Sequence, residues 1–335
     1  MTVRDDRLPW LPQALDCRIV TNNVREALPG LRVESAQLFR HKPGKRALID
    51  YTVFSQLTGR RTHWIGKCRH KGCDHRTRRL HDQLNAYLAE NPSQQLAIPK
   101  AIASIEALGL WIQQRVDGVD GWSVMTDASL QVARRTGLAL AELQAVPITT
   151  DKTHAIADEL AILDTRLDLV AEEEHASRSQ LQSLREALHG VATQLTDRPQ
   201  QLIHRDFYPD QILLGQQRTW LLDLDLACLG DPALDAGNYL AHLDEYALRR
   251  GLSPARIERI AEAFLQGWLP SSPQRQSSDR HAVAVYRVLS LARHISIARQ
   301  FPERRPYWQA IWHQTEAMLA RLTTETAHRC GVHST

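Results

Sequence analysis

The sequence predicts an α+β protein in two lobes, a small β-rich lobe followed by a larger, mostly helical one. Three observations predict it. The first third carries short apolar runs separated by Gly- and Pro-containing turns, the pattern of successive hairpins. From residue 130 onward apolar residues recur at spacings of three and four, the pattern of amphipathic helices. Only residues 202–243 interrupt those helices, with short apolar strands that lead into aspartates.

The elements follow in order. Residues 35–40 read as a short strand and His41-Lys42-Pro43-Gly44-Lys45-Arg46 as a basic turn. Residues 47–54 form a second strand. Leu57-Thr58-Gly59-Arg60 reverses the chain, and residues 62–68 make a third strand that carries Lys67. Residues 76–88 read as a helix with Leu80, Leu84, Tyr87 and Leu88 along one stripe. Pro92 and Pro99 punctuate the next loop. A strand pair, 101–107 and 110–116, then ends at Asp117-Gly118, a natural hinge. The expected division is therefore 1–116 and 117–335.

Beyond the hinge, residues 130–145 form a helix stopped by Pro147. Ile156, Leu160, Leu163, Leu167 and Val170 mark a second helix, and Leu181, Leu184, Leu188, Val191 and Leu195 a third. Asp197-Arg198-Pro199 breaks the run. After the strand region, helices return at 254–268, with Ser253 as N-cap and Pro254 in the first turn, and at 279–299 and 307–322.

Composition narrows the function classes. Hydrophobic residues at 43% and charged residues at 24% demand a packed core rather than disorder. The net charge of +3 is too mild to argue for nucleic acid. No window approaches the roughly 20 apolar residues that span a bilayer. The first residues carry early acids and no signal-peptide core. The five cysteines are odd in number and scattered, which favours reduced thiols and a cytoplasmic setting, with no nucleic-acid or membrane partner expected. Charge is uneven, however. Between Arg40 and Arg79 twelve Lys/Arg face two Asp, and between Leu202 and Tyr246 eight Asp/Glu face two Arg. One region suits phosphates and the other cations.

The second region carries the chemistry. An apolar strand ends in His204-Arg205-Asp206, Pro209 forces a turn, and Gln211 opens another strand. A later strand delivers Asp223, with Asp225 on the same face. Hairpin geometry can bring Asp206, Gln211 and Asp223 to one loop rim. Two carboxylates and an amide carbonyl are hard donors suited to Mg²⁺. Phosphoryl transfer needs a carboxylate to take the attacking hydroxyl's proton and cations to neutralise the phosphates.

This arrangement resembles the aminoglycoside phosphotransferase and choline kinase family, a branch of the protein-kinase-like fold. The family's H-x-D-x-x-x-x-N loop and following metal aspartate are matched by His204, Asp206, Gln211 and Asp223. Gly230-Asp231-Pro232 with Asp235 is similar to its G-D-P-x-x-D segment. The resemblance implies a bilobal fold and an enzyme that uses ATP or GTP with Mg²⁺. Asp206 would be the base, Gln211 and Asp223 the metal ligands, and His204 a brace. Asp231 and Asp235 would be structural, capping the next helix and tying the loop. It further implies that Lys67 meets the α/β-phosphates, that Asp82 on the next helix holds Lys67, and that the backbone of Gln114 and Val116 meets the adenine.

Three positions depart from the pattern. Gln211 stands for the usual Asn and Arg205 for the usual Gly. The nucleotide turn holds only Gly44, so its phosphate contact would lean on Lys42, Lys45 or Arg46. Seven residues separate Asp223 from Asp231, too few for a protein kinase's activation segment, which favours a small-molecule acceptor. The acids Asp206, Asp210, Asp225, Asp244 and Glu245 suggest an amine-bearing or sugar-like one. The rival reading is a nucleotide-binding pseudokinase acting as a regulator, and a weaker one is a basic RNA-binding protein. Cys68, His70, Cys73 and His75 have zinc-ligand chemistry but read better as a strand-to-helix turn.

Overall fold

The computed structural model describes residues 4–125, 129–195 and 197–332. The chain packs as two compact units. The first comprises Met1–Ser93, Ala97–Gly118 and Trp220–Asp225. The second holds Gln94–Leu96, Val119–Thr219 and Leu226–Thr335. The short Asp223 segment thus belongs to the first unit, a placement that no division at a single point of the sequence can produce.

The first unit is a sheet with helices against it. Helix α1 (Cys17–Val24) starts at Asp16, whose carboxylate accepts from the N–H groups of Arg18 and Ile19. The strands are β1 (Leu31–Lys42), β2 (Arg46–Ser55) and β3 (Arg61–Arg69). Helix α2 (His75–Glu90) and strands β4 (Ala101–Ile105) and β5 (Leu110–Gln114) follow. Their order is β1-β2-β3-β5-β4, with antiparallel neighbours throughout. On β2 alternate residues Ala47, Ile49, Tyr51 and Val53 point into the core, as period-two patterning requires. The Tyr51 hydroxyl donates to the Ala14 carbonyl at 2.6 Å, so this buried phenol is satisfied. Asp74 caps α2 through the Thr77 N–H, and Leu80, His81 and Leu84 form its buried stripe.

The second unit is built from helices. They are α3 (Ser129–Gln144), α4 (Ile156–Glu173), α5 (Arg178–Ala192), α6 (Ala233–Arg250), α7 (Pro254–Trp268), α8 (Pro273–Arg299) and α9 (Trp308–Val332). Four short strands lie between α5 and α6: β6 (Gln201–Ile203), β7 (Ile212–Leu214), β8 (Thr219–Leu221) and β9 (Cys228–Gly230). Strand β6 pairs antiparallel with β9, and β7 pairs with residues 119–120. Helices α6 and α8 pack along each other and are buried over most of their length. Among the described residues no helix is long and apolar enough to cross a membrane.

Candidate active site

In the first unit Lys67 projects from β3 with its side chain only 8% exposed. Its ammonium lies 2.9 Å from Asp223 Oδ1 and 3.4 Å from Asp225 Oδ1. Burial pulls the Lys67 pKa below its ordinary value, against the opposing pull of Asp223. The ammonium also sits 5.2 Å from the centre of the Trp111 ring. More cations gather on the same two carboxylates. Arg46, the last residue of the basic turn, reaches Asp223 Oδ2 at 3.5 Å and Asp225 Oδ2 at 3.8 Å. Arg69 bridges Asp225 and Asp74, and Arg76 donates to the Asp225 carbonyl at 2.6 Å.

Arg69 and Arg76 escaped the sequence reading, although the signal was there. Arg69 lies two residues beyond Lys67 on one strand and so shares its face. Arg76 stands in the first turn of the helix that follows.

The expected Lys67–Asp82 pair does not form. Asp82 is exposed and lies 3.8 Å from Arg78, one turn back on its own helix. The buried position on that helix is His81 instead. Its Nδ1 hydrogen-bonds the Pro99 carbonyl at 2.8 Å, and its ring meets Trp111 edge-on. Burial pushes the His81 imidazole down to about 4, so it is neutral near pH 7. With a neutral group there, Asp223 and Asp225 answer the lysine.

The turn at Gly44 is closed. Gly44 takes φ +68°, its N–H donates to Asp5 Oδ2 at 2.8 Å, and His41 hydrogen-bonds the same oxygen. Lys45 is exposed, while Arg46 faces the carboxylates. At the end of β5 the Gln114 N–H donates to the Lys100 carbonyl and the Arg115 N–H to the His63 carbonyl. The half-buried Val116 is the first residue past these bonds. The zinc-like cluster disperses: Cys68 and Cys73 donate to the carbonyls of Leu108 and Leu110, His70 contacts the Arg7 carbonyl, and His75 faces Glu106.

In the second unit Asp206 lies half-buried in the loop after β6. That loop is held from behind by Asp235, fully buried in the first turn of α6. Asp235 Oδ2 accepts from the His204 N–H and Oδ1 from the Arg205 N–H, each at 2.7 Å. The Gln144 amide donates to the same carboxylate at 3.2 Å. Burial raises the Asp235 pKa, while His204 and these donors pull it down. Buried His204 meets Phe207 edge-on at 5.8 Å. Asn238, one turn after Asp235, donates to the Phe207 carbonyl at 3.0 Å. Asp231 accepts from the Ala233 N–H at the start of α6 and pairs with Arg198.

Arg205 has φ +69° and Asp223 φ +53°. Left-handed backbone at non-glycine residues is strained, and it occurs here at two positions of the predicted site. A glycine would meet the need at 205 without strain, which is the physical reason that position is usually glycine. Gln211 ends the short turn Pro209–Gln211, its N–H bonded to the Tyr208 carbonyl at 2.9 Å. A side chain at Gly121 would lie 2.4 Å from the Pro209 carbonyl oxygen, so the loop packs directly on bare backbone.

The acidic rim does not survive as a cation site. Buried Asp244 accepts two hydrogen bonds from Arg287, both 2.7 Å, and buried Glu245 pairs with Arg249 at 2.7 Å. Asp210 accepts from the Trp122 indole, and Asp225 is bound to Arg69 and Lys67. Sequence counts charges without their partners, and arginines from distant helices supply those partners.

Comparison with known proteins decides the family. The family model of the phosphotransferase enzyme family matches residues 45–286. The chain belongs to that family. It is a small-molecule phosphotransferase that acts on an alcohol group. No curated protein matches the sequence.

Among solved structures, a choline kinase from Cryptosporidium parvum Iowa II superposes with a TM-score of 0.59 at 13% identity, over 93% of this chain and 97% of that one. A spectinomycin phosphotransferase in complex with ADP and spectinomycin gives 0.56 at 9% identity, covering 90% and 93%. An aminoglycoside phosphotransferase from Alicyclobacillus acidocaldarius gives 0.53 at 17%, covering 88% and 93%. At these identities the likeness establishes the fold, which is the protein-kinase-like one expected from the sequence.

Proposed function

We propose that this phosphotransferase is a Mg²⁺-dependent kinase that transfers the γ-phosphoryl group of ATP or GTP to a hydroxyl of a small acceptor. The observation that carries the reading is the loop at Asp206, fixed by two 2.7 Å hydrogen bonds from its backbone to buried Asp235. A carboxylate held this way is preorganised to accept a proton.

In the reaction the acceptor oxygen bonds to the γ-phosphorus. The bond from that phosphorus to the bridging oxygen breaks, the nucleoside diphosphate leaves, and the hydroxyl proton passes to Asp206. Lys67 and Arg46 hold the phosphates, and the backbone at Val116 meets the base. The carboxylate of Asp223 and the amide oxygen of Gln211 are the hard donors Mg²⁺ takes, and they would hold it. When bound, the ion neutralises charge on the β- and γ-phosphates. ATP, Mg²⁺ and reduced thiols all suit a cytoplasm, and among the described residues Cys17, Cys68, Cys73 and Cys228 form no disulfide.

A screen of metabolites for ATP- or GTP-consuming activity tests the proposal. Mg²⁺-dependent nucleotide consumption with one class of alcohol is the expected result. Nucleotide binding indifferent to Mg²⁺, with no consumption, would instead favour the pseudokinase, which the closed turn at Gly44 and Gln211 otherwise suggest.

A further inference from the structure

Within the second unit, Asp206 is anchored on both sides from α6. Asp235 takes the N–H groups at 204 and 205. Asn238, three residues on and so on the same helix face, takes the Phe207 carbonyl at 3.0 Å. The two anchors differ in kind. A carboxylate presents two equal oxygens, so flipping it changes nothing. An amide presents an oxygen and a nitrogen, and its terminal torsion is roughly two-fold, so a flip swaps acceptor and donor. Only one of the two orientations gives the Phe207 carbonyl its hydrogen bond. Asn238 is 3% exposed, so bulk water does not stand in for a lost one.

Arg293 on α8 selects the orientation. Its Nη2 donates to Asn238 Oδ1 at 3.0 Å and to Ser290 Oγ at 3.1 Å. A guanidinium has donors and no acceptor, so only the amide oxygen can face it. A flipped amide would set N–H against N–H on the arginine side and oxygen against the Phe207 carbonyl on the other. Both bonds would be lost together. Arg293 is itself fixed. Its Nη1 pairs with Glu159 Oε2 on α4 at 3.0 Å, and Glu159 Oε1 lies 2.7 Å from His154 Nε2. Burial opposes the charge of Glu159, yet Arg293 and His154 hold its pKa below the ordinary value. Residues 153–154 pair with β9, and β9 pairs with β6, the strand that leads into the Asp206 loop. The chain of contacts thus closes on the loop it orients.

We propose that Arg293 is a positioning residue for Asp206: held by Glu159, it fixes the Asn238 amide in the orientation that anchors the carbonyl following the base. The inference rests on the kinase reading, in which Asp206 receives the acceptor's proton. A base must stand where the hydroxyl meets it, and a misplacement of about 1 Å can cost such a step about 10²-fold in rate. With the Asn238 amide free to flip, the loop downstream of Asp206 is unanchored in a share of the molecules, and those react slowly.

Two variants of the full chain test it, with Mg²⁺–ATP as the probe and water as the acceptor. Asn238→Asp keeps the contact with Arg293 but replaces the donor to Phe207 by an acceptor. Glu159→Gln/Arg293→Met removes both charges together, so no buried charge is stranded, and leaves the Asn238 amide without its selector. Each should lower kcat for ATP hydrolysis by about tenfold, the worth of one hydrogen bond, with the KM for Mg²⁺–ATP unchanged. Hydrogen exchange at residues 205–211 should quicken by about tenfold, while the urea midpoint and exchange elsewhere in the second unit change little. In an Asn238→Ala background the Glu159→Gln/Arg293→Met pair should lower kcat no further, because both act through one amide. Loop exchange and kcat indifferent to Glu159→Gln/Arg293→Met would overturn the inference and leave the kinase standing. Protection lost throughout the second unit would also overturn it, since Arg293 would then only stabilise the fold. No ATP consumption by the unaltered chain, with loop exchange still answering to both variants, removes the kinase and keeps the anchor.

Discussion

The two aspartates at the centre of the proposed chemistry are held by opposite means. Asp223 stands among full charges: Lys67 at 2.9 Å, Arg46 at 3.5 Å, and Arg69 bound to its neighbour Asp225. Asp206 stands in a loop held by dipoles, with backbone N–H groups at 204 and 205 on Asp235 and the Asn238 amide on the Phe207 carbonyl. Ion pairs on flexible side chains can exchange partners when a triphosphate arrives, because the arginines and lysine are then shared with new anions. Backbone hydrogen bonds to a fully buried carboxylate leave the loop no alternative geometry. The first arrangement suits a group that must rearrange around a ligand, and the second suits a base that must already be in place.

The largest expected effect separates the two roles directly. Asp206→Asn should lower turnover by about 10²- to 10⁴-fold, the usual worth of general base catalysis, with nucleotide affinity nearly unchanged. Asp223→Ala should instead remove the Mg²⁺ dependence of nucleotide binding. Steady-state kinetics and nucleotide titration of the two variants, side by side, would show whether the losses fall on kcat and on binding respectively. Equal losses of nucleotide affinity in both would erase the contrast.

Next in size is the frame behind Asp206. Asp235→Ala leaves the N–H groups of His204 and Arg205 and the Gln144 amide without their acceptor, at about 2 kcal/mol or more for buried groups. Urea unfolding should read that loss of stability. Arg69→Ala, on the charge-held side, removes ion pairs from partly exposed groups and should lower stability by less than about 1 kcal/mol. A larger loss from Arg69→Ala than from Asp235→Ala would reverse the comparison.

How legible each side was in the sequence follows from the same difference. Asp206, Asp231 and Asp235 lie within thirty residues of one another, at spacings that strands and a helix turn fix locally, so their arrangement could be read along the chain. The surroundings of Asp223 could not, because Lys67 and Arg69 come from a strand more than 150 residues away. The hairpin order still placed Lys67 on β3, since alternation fixes which residues share a face. The acid on α2 could not be chosen that way. Asp82 and His81 are neighbours in sequence on different faces of a helix, and only packing against Trp111 and Pro99 makes His81 the inward one. The acidic rim misled for the same reason, as Arg287 and Arg249 neutralise Asp244 and Glu245 out of sight of any local pattern.

Acid should also distinguish the units. His81 is held down to about 4 in the first unit and His294 to about 3 in the second, where His242 is depressed as well. A folded pKa below the unfolded value means that the unfolded chain binds more protons. The stability from these neutral histidines is therefore full above about pH 6.5 and is lost as pH falls toward the folded values, at about 1.4 kcal/mol per pH unit for each. Urea midpoints compared at pH 7.5 and 5.5 should fall, and His294→Gln or His81→Gln should each flatten the slope. A slope unchanged by either variant would mean that the imidazoles are already protonated in the folded chain.

The smallest effect tests whether the loop at Asp206 is held by dipoles alone. Arg205 sits at φ +69°, a conformation that strains any residue with a Cβ by about 1 kcal/mol or more. Burial pushes the Glu159 pKa up, while Arg293, His154 and, least of all, the Arg205 guanidinium pull it down. Arg205→Gly removes the strain but gives the unfolded chain more freedom, so the net gain should be below about 1 kcal/mol. Thermal melts should therefore show a slightly raised midpoint, with kcat retained because the backbone N–H at 205 still reaches Asp235. A lowered midpoint would show that the guanidinium's charge outweighs its backbone strain, and that the loop, like Asp223, is held partly by ions.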